Sequence, residues 1–228
     1  MSPPHRLTAS HMQGKAVAVR FAKLIALGVF VYFAHRLVLN SWLYANFATD
    51  VGFFRYKNPQ LLENKIWLYA FFTHALLSMV VLLAGLTQFF AVFRLKYPRV
   101  HRWVGRVYCF NIIFVVAPAG FVMALYANGG MLGRAAFLTL TVLWWGTTWL
   151  GYRSARHRRF EPHRRWMIYS FALTLSAVTF RLWLMTMRQY VHMPPIEMYG
   201  VASWLGFVPN LLVAYGFLRW SHKKTHNG

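Results

Sequence analysis

Long apolar runs separated by short, basic connections set the pattern of this chain. A membrane crossing needs about 20 mostly apolar residues. Six runs meet that length: 22–44, 66–93, 104–127, 132–152, 165–187 and 198–219. The pattern therefore predicts an all-α integral membrane protein, with one six-transmembrane-helix bundle over 22–220. A basic segment, 1–21, precedes the bundle and a short tail, 221–228, follows it. The first run ends without a small-residue cleavage pattern and reads as a signal anchor. Pro118 and Pro209 fall inside the third and sixth runs. They are expected to kink those helices or to free carbonyls within the bundle.

Charge adds direction. Of 228 residues, 58% are hydrophobic and 13% charged, about half the charged share of a soluble domain. Lys and Arg total 25 against 4 acidic residues, a net charge of +21. On a soluble chain that excess would suggest nucleic acid, but no soluble basic domain remains outside the runs, so none is expected. Arg94, Lys96, Arg99, Arg102 and Arg106 lie between the second and third runs. Arg153, Arg156, Arg158, Arg159, Arg164 and Arg165 lie between the fourth and fifth. With six crossings these groups share one side with both termini, and the positive-inside rule makes that side cytoplasmic. Asp50, Glu63 and Glu197 fall in the opposite loops. The expected setting is multi-pass in a bacterial inner membrane, with lipids as partners. Trp42, Tyr44, Trp67 and Tyr69, at the outer ends of the first two helices, suit an aromatic belt. The lone Cys109 excludes an internal disulfide and a multi-cysteine metal site.

Two polar stripes run along these apolar helices. His74, Ser78, Gly85 and Gln88 share one face of the second; His163, Ser170, Thr174, Ala177 and Arg181 share one face of the fifth. Lipid cannot satisfy polar groups, so both faces should turn inward, as a site or as a packing surface of small residues. Four histidines lie in or at the edge of runs: His35, His74, His101 and His163. At 1.5 Å per residue His35 lies about 20 Å, and His74 about 18 Å, from the cytoplasmic edge. His101 and His163 open the third and fifth helices at matching depth. Two depth-matched pairs suit one or two b-type haems, because neutral imidazole is a strong axial ligand. Arg106 and Arg181 would pair with propionates or with a quinone head group, although arginines at helix ends also snorkel to lipid. No carboxylate lies inside a run, which argues against a proton-coupled transporter. A zinc or copper site from histidines alone is the weaker metal reading.

The motifs Thr73-His74 with Gln88, His101-Arg-x-x-Gly105-Arg106-x-Tyr108, and His163-Arg-x-Trp166-Met167-x-x-Ser170 with Arg181 carry a family likeness. Over roughly 65–190 they resemble a bacterial integral-membrane family, domain-of-unknown-function family 2306. The His-x-x-x-Gly pattern that opens a span also looks like the cytochrome b561 superfamily of helical, two-haem electron carriers. That resemblance implies electron transfer between a quinone or other reductant and an acceptor, with a quinone or a redox protein as partner. His101 and His163 would hold one haem, and His35 and His74 the other. The alternative is a non-catalytic accessory or assembly subunit, or a small-molecule carrier that uses the polar faces of the second and fifth helices.

Overall fold

A computed structural model of the chain describes residues 34–226 together with Gly28, Val31 and Tyr32. The basic segment 1–21 and the start of the first run lie outside the described residues. The first described helix, α1, covers 34–42. A 3-10 turn, Gly52–Tyr56, and a short helix, α2 (Pro59–Leu62), lead to α3 (Lys65–Gln88) and α4 (Ala91–Leu95). The remaining helices are α5 (Pro98–Asn111), α6 (Ala117–Leu125), α7 (Gly130–Arg156), α8 (Phe160–Thr174), α9 (Ser176–Tyr190), α10 (Pro195–Leu205) and α11 (Val208–His226). A π-helical segment, Ile112–Val116, joins α5 to α6.

Helix ends follow local chemistry more than hydropathy. Asn64 caps α3 by accepting from the Trp67 backbone N–H at 3.1 Å, which satisfies an otherwise orphaned donor. The second run reaches 93, but α3 stops at Gln88 and a separate turn follows. The third run starts earlier than its apolar residues indicate. Pro98, pre-set for a first helical position, begins α5 there and carries His101 inside the helix. Pro118 acts through the π-helical segment. In i→i+5 bonding the partner of the Ile113 carbonyl is residue 118, which has no N–H. Trp145 Nε1 donates to that carbonyl instead, at 3.1 Å. Pro209 sits at the start of α11, after a break at Gly206 and Phe207, where its missing N–H leaves little unsatisfied.

Among the described residues four helical stretches are long and apolar enough to cross a membrane: Lys65–Gln88, Pro98–Leu125, Phe160–Tyr190 and Pro195–Lys223. They correspond to the second, third, fifth and sixth of the expected runs. The 27-residue α7 is not among them. It carries Arg134, Arg153 and Arg156 and a polar inner face of Thr141, Thr147 and Thr148, which lower its hydropathy. The protein is thus an all-helical membrane protein with several apolar helices. Phe110, Phe114, Leu212 and Val213 are among its exposed apolar side chains, as a lipid-facing surface requires.

The helices converge on a core of Val81, Tyr108, Ile112, Val116, Trp144, Leu173 and Phe207. At Gly85, a Cβ would lie 2.8 Å from both Phe171 and Tyr108, so only a bare backbone lets α3 approach α5 and α8 here. A hydroxyl chain runs through this core. Trp144 Nε1 donates to Thr174 Oγ1 (3.0 Å), Thr174 bonds Tyr108 Oη (2.8 Å), and Tyr108 bonds Ser170 Oγ (2.9 Å). Ser170 bonds Thr148 Oγ1 (2.7 Å), which donates to the Trp144 carbonyl at 2.7 Å. Each hydroxyl both gives and accepts, so α5, α7 and α8 are clasped without a stranded donor.

At the end opposite the basic loops, the chain between α1 and α3 folds back over the bundle. Tyr44, Phe54, Trp67, Phe71 and Phe72 form an aromatic cluster there, and Tyr44 Oη accepts from the Phe53 backbone N–H at 2.9 Å. The expected aromatic belt therefore divides. Trp42 and Tyr69 are 69% and 71% exposed, whereas Tyr44 and Trp67 are buried in the cluster.

Candidate functional site

Beneath that aromatic cap lies a cavity of about 500 Å³. His74 and Ser78 of α3, Gly120 of α6, Thr141 and Trp144 of α7, Thr174 of α8, Arg181 of α9 and Ser203 of α10 line it. A wider vestibule of about 1210 Å³ adjoins it, lined by Lys57, Arg134, Arg188 and Pro195 among others. Phe53, Lys57, Ala127, Asn128, Phe180, Arg181 and Tyr199 line both spaces, so the two share a throat. The polar stripes read from the second and fifth runs do face inward, and their members His74, Ser78, Thr174, Ala177 and Arg181 meet in this cavity.

His74 is held by a backbone contact. Its Nδ1 lies 2.9 Å from the Val116 carbonyl. A carbonyl only accepts, so Nδ1 carries the proton and Nε2 is left with the lone pair. Gly120 makes room for the ring: a Cβ there would sit 3.1 Å from His74 Cε1 and Nδ1. Arg181 Nη1 donates to the Ala177 carbonyl at 2.6 Å, one turn earlier. A guanidinium has five N–H donors, so others remain for a ligand.

Lys57 stands at the throat. Its Nζ donates to the Tyr126 carbonyl (2.7 Å) and to Asn128 Oδ1 (2.8 Å). It also lies over the rings of Phe53 and Trp67, 5.0 and 5.6 Å from their centroids. Burial, and then the neighbouring Arg134 charge, push its pKa down to about 8. Arg134 and Arg188 are exposed in the vestibule. No Asp or Glu lines either space. Among the described residues the one ion pair is Arg164 with Glu161, at the basic end.

The other candidate histidines lie elsewhere. His163 Nδ1 is 2.9 Å from the Gly151 carbonyl, so it too keeps its lone pair on Nε2. His101 Nδ1 is buried without a partner, and His163 is near enough to act on it electrostatically. The basic-end pair thus comes together, but it lines neither cavity. Arg106 is exposed, 5.5 Å from the Trp103 ring centroid. His35 and Arg36 are exposed, and His35 is not among the residues around the cavity that holds His74. A haem axially held by both therefore does not fit there, whereas His101 and His163 keep suitable donor chemistry. Among the described residues no three His, Cys, Asp or Glu side chains gather to hold a metal ion.

Sequence reasoning missed Lys57, Arg134, Arg188 and Tyr199. The signal for the cations was present: they lie at the end where the positive-inside rule expects few. A model of the family described as "Predicted membrane protein (DUF2306)" matches residues 71–218, more than half of the chain, which belongs to that family. The match takes in His74, Arg134, Arg181 and Arg188, but not Lys57. No curated protein and no solved structure matches the chain.

Proposed function

We propose that this protein is a non-catalytic binding protein or carrier for a small amphiphilic anion, working within a bacterial inner membrane. The observation that supports this is Arg181, a cation placed inside the bundle where cavity and vestibule join, with no carboxylate lining either space. A charge at such a position is costly unless partnered, and the acid group of a ligand supplies the missing partner. The apolar body of the ligand occupies the space between Leu82, Met123, Leu140 and Phe180. The His74 Nε2 lone pair accepts a hydrogen bond from a hydroxyl or amide on it. In this reading the chain crosses six times, with α7 and the first run as the two further crossings. Its basic end and both termini face the cytoplasm, and the vestibule opens on the outer side.

The test is calorimetric titration of dodecanoate into the full chain in phosphatidylcholine nanodiscs, with empty discs subtracted. Saturable binding weakened at least about tenfold by Arg181→Gln is expected, since a charge-assisted hydrogen bond is lost. Binding indifferent to Arg181→Gln overturns the reading.

The second reading is haem b electron transfer with a quinone or redox-protein partner. It is favoured by the backbone bond to His163 Nδ1, the contact that orients an axial imidazole. A reduced-minus-oxidised visible spectrum of the same preparation decides it. Bands of b type lost in His163→Ala support it; a colourless protein after expression with ample haem removes it.

A further inference from the structure

The number and placement of the cations go further than an anion of any kind. Lys57, Arg134 and Arg188 surround the vestibule, and Arg181 stands at its inner end. With no Asp or Glu in the lining, these four give a local charge of +4 at neutral pH. They are not explained by topology, because they sit at the end opposite the arginine-rich loops. Nor are they explained as pairs, since Glu63 and Glu197, at the same end, line neither space. Arg181 and Arg188 stand seven residues, about two turns, apart on one face of α9, whereas Lys57 and Arg134 come from the loop before α2 and from α7, with Arg134 near enough to Lys57 to act on it electrostatically. A single carboxylate has two oxygens and one charge, and would leave three of the four cations uncompensated. A phosphate monoester brings three acceptor oxygens and a charge of about −1.5 to −2 at neutral pH, and guanidinium forks match its geometry.

We propose that the vestibule is a phosphate-binding site, and that the anion taken into the throat is the phosphate head of an amphiphile, bridged by Arg181 and Arg188 on one side and Lys57 and Arg134 on the other. The proposal rests on the amphiphilic-anion reading above and narrows it to one head-group chemistry. A membrane lipid phosphate and free inorganic phosphate share that chemistry, and the experiment separates them.

Three probes are titrated at pH 7 into the full chain in phosphatidylcholine nanodiscs: dodecyl phosphate, dodecanoate and inorganic phosphate. The variants are Arg181→Gln and the double variant Arg134→Gln/Arg188→Gln, whose exposed side chains carry no core packing. Dodecyl phosphate is expected to bind at least about tenfold more tightly than dodecanoate. The double variant should abolish most of that preference, weakening dodecyl phosphate about tenfold more than dodecanoate. Inorganic phosphate that displaces dodecyl phosphate with equal affinity identifies free phosphate as the ligand; displacement only at far higher concentration identifies the lipid head. Saturable, Arg181-dependent dodecanoate binding with no phosphate preference overturns this inference and leaves the carrier reading standing. A phosphate preference that the double variant leaves intact overturns the placement in the vestibule. Loss of saturable binding for every probe overturns both readings.

Discussion

Two substitutions in the hydroxyl clasp test whether it is a chain that can reverse. Tyr108→Phe removes the bonds to Ser170 and Thr174. Thr174 retains an acceptor in the Ser170 carbonyl at 3.1 Å, and Ser170 still donates to Thr148. Thr148→Val removes the bonds to Ser170 and to the Trp144 carbonyl. Ser170 then turns its proton to Tyr108, Tyr108 donates to Thr174, and Thr174 donates to the Ser170 carbonyl. Neither single change strands a donor. At roughly 0.6 kcal/mol for an interhelical bond in a membrane protein, each costs about 1 kcal/mol. Together they leave the Ser170 hydroxyl, fully buried, with neither hydroxyl partner. That adds a desolvation penalty of about 1–3 kcal/mol. The double variant should therefore lose about 3–5 kcal/mol, beyond the sum of the singles. A double-mutant cycle by reversible unfolding in mixed micelles measures this. Additivity within about 0.5 kcal/mol would refute the reversible chain and leave Ser170 bonded elsewhere.

Two further outcomes concern the cavity and its throat. Affinity for dodecyl phosphate should be highest below pH 8 and fall as pH rises through about 8, where Lys57 loses its charge; Lys57→Met should flatten that fall in titrations from pH 6.5 to 9.5. The same depressed pKa has a stability sign. Between about 8 and the usual 10.5 the unfolded lysine binds more protons than the folded one, so stability rises with pH across that window, with the penalty complete below 8. Gly120→Val, whose Cβ would press on the His74 ring at 3.1 Å, should weaken dodecanoate binding about tenfold or more while dodecanoate-free unfolding shifts by about 1–3 kcal/mol; an unchanged affinity would mean that the ligand does not reach His74.

Much of the fold was legible because lipid imposes a simple rule: long apolar runs become helices, and polar stripes turn away from the acyl chains. The inward positions of His74, Ser78, Ser170, Thr174 and Arg181 followed from spacing alone. What spacing could not carry was the third dimension around a helix axis. His35 and His74 match in depth, yet depth says nothing of azimuth, and His35 is exposed instead of facing the cavity. Breaks within runs were hidden for a related reason. The interruptions after Gln88, at Leu175 and at Gly206 fall inside long apolar runs, where the mean hydropathy stays high and only the backbone bonding changes.

The vestibule shows how a topological rule can point to a site through its exceptions. Read as a tally, the charges gave a direction: eleven arginines and lysines in two loops on one side. Read residue by residue, the opposite end keeps Arg55, Lys57, Lys65, Arg134 and Arg188. Arg55 has a local use, donating Nε to the Asp50 carbonyl at 2.9 Å, and Lys65 is exposed at the first position of α3. Lys57, Arg134 and Arg188 remain, from a connecting loop, α7 and α9, and the fold brings all three to one opening with Arg181 behind them. Cations scattered for solubility would not converge from three separate elements. In the proposed topology they converge at the end where translocation of positive charge is disfavoured, which supports an anion that meets them there.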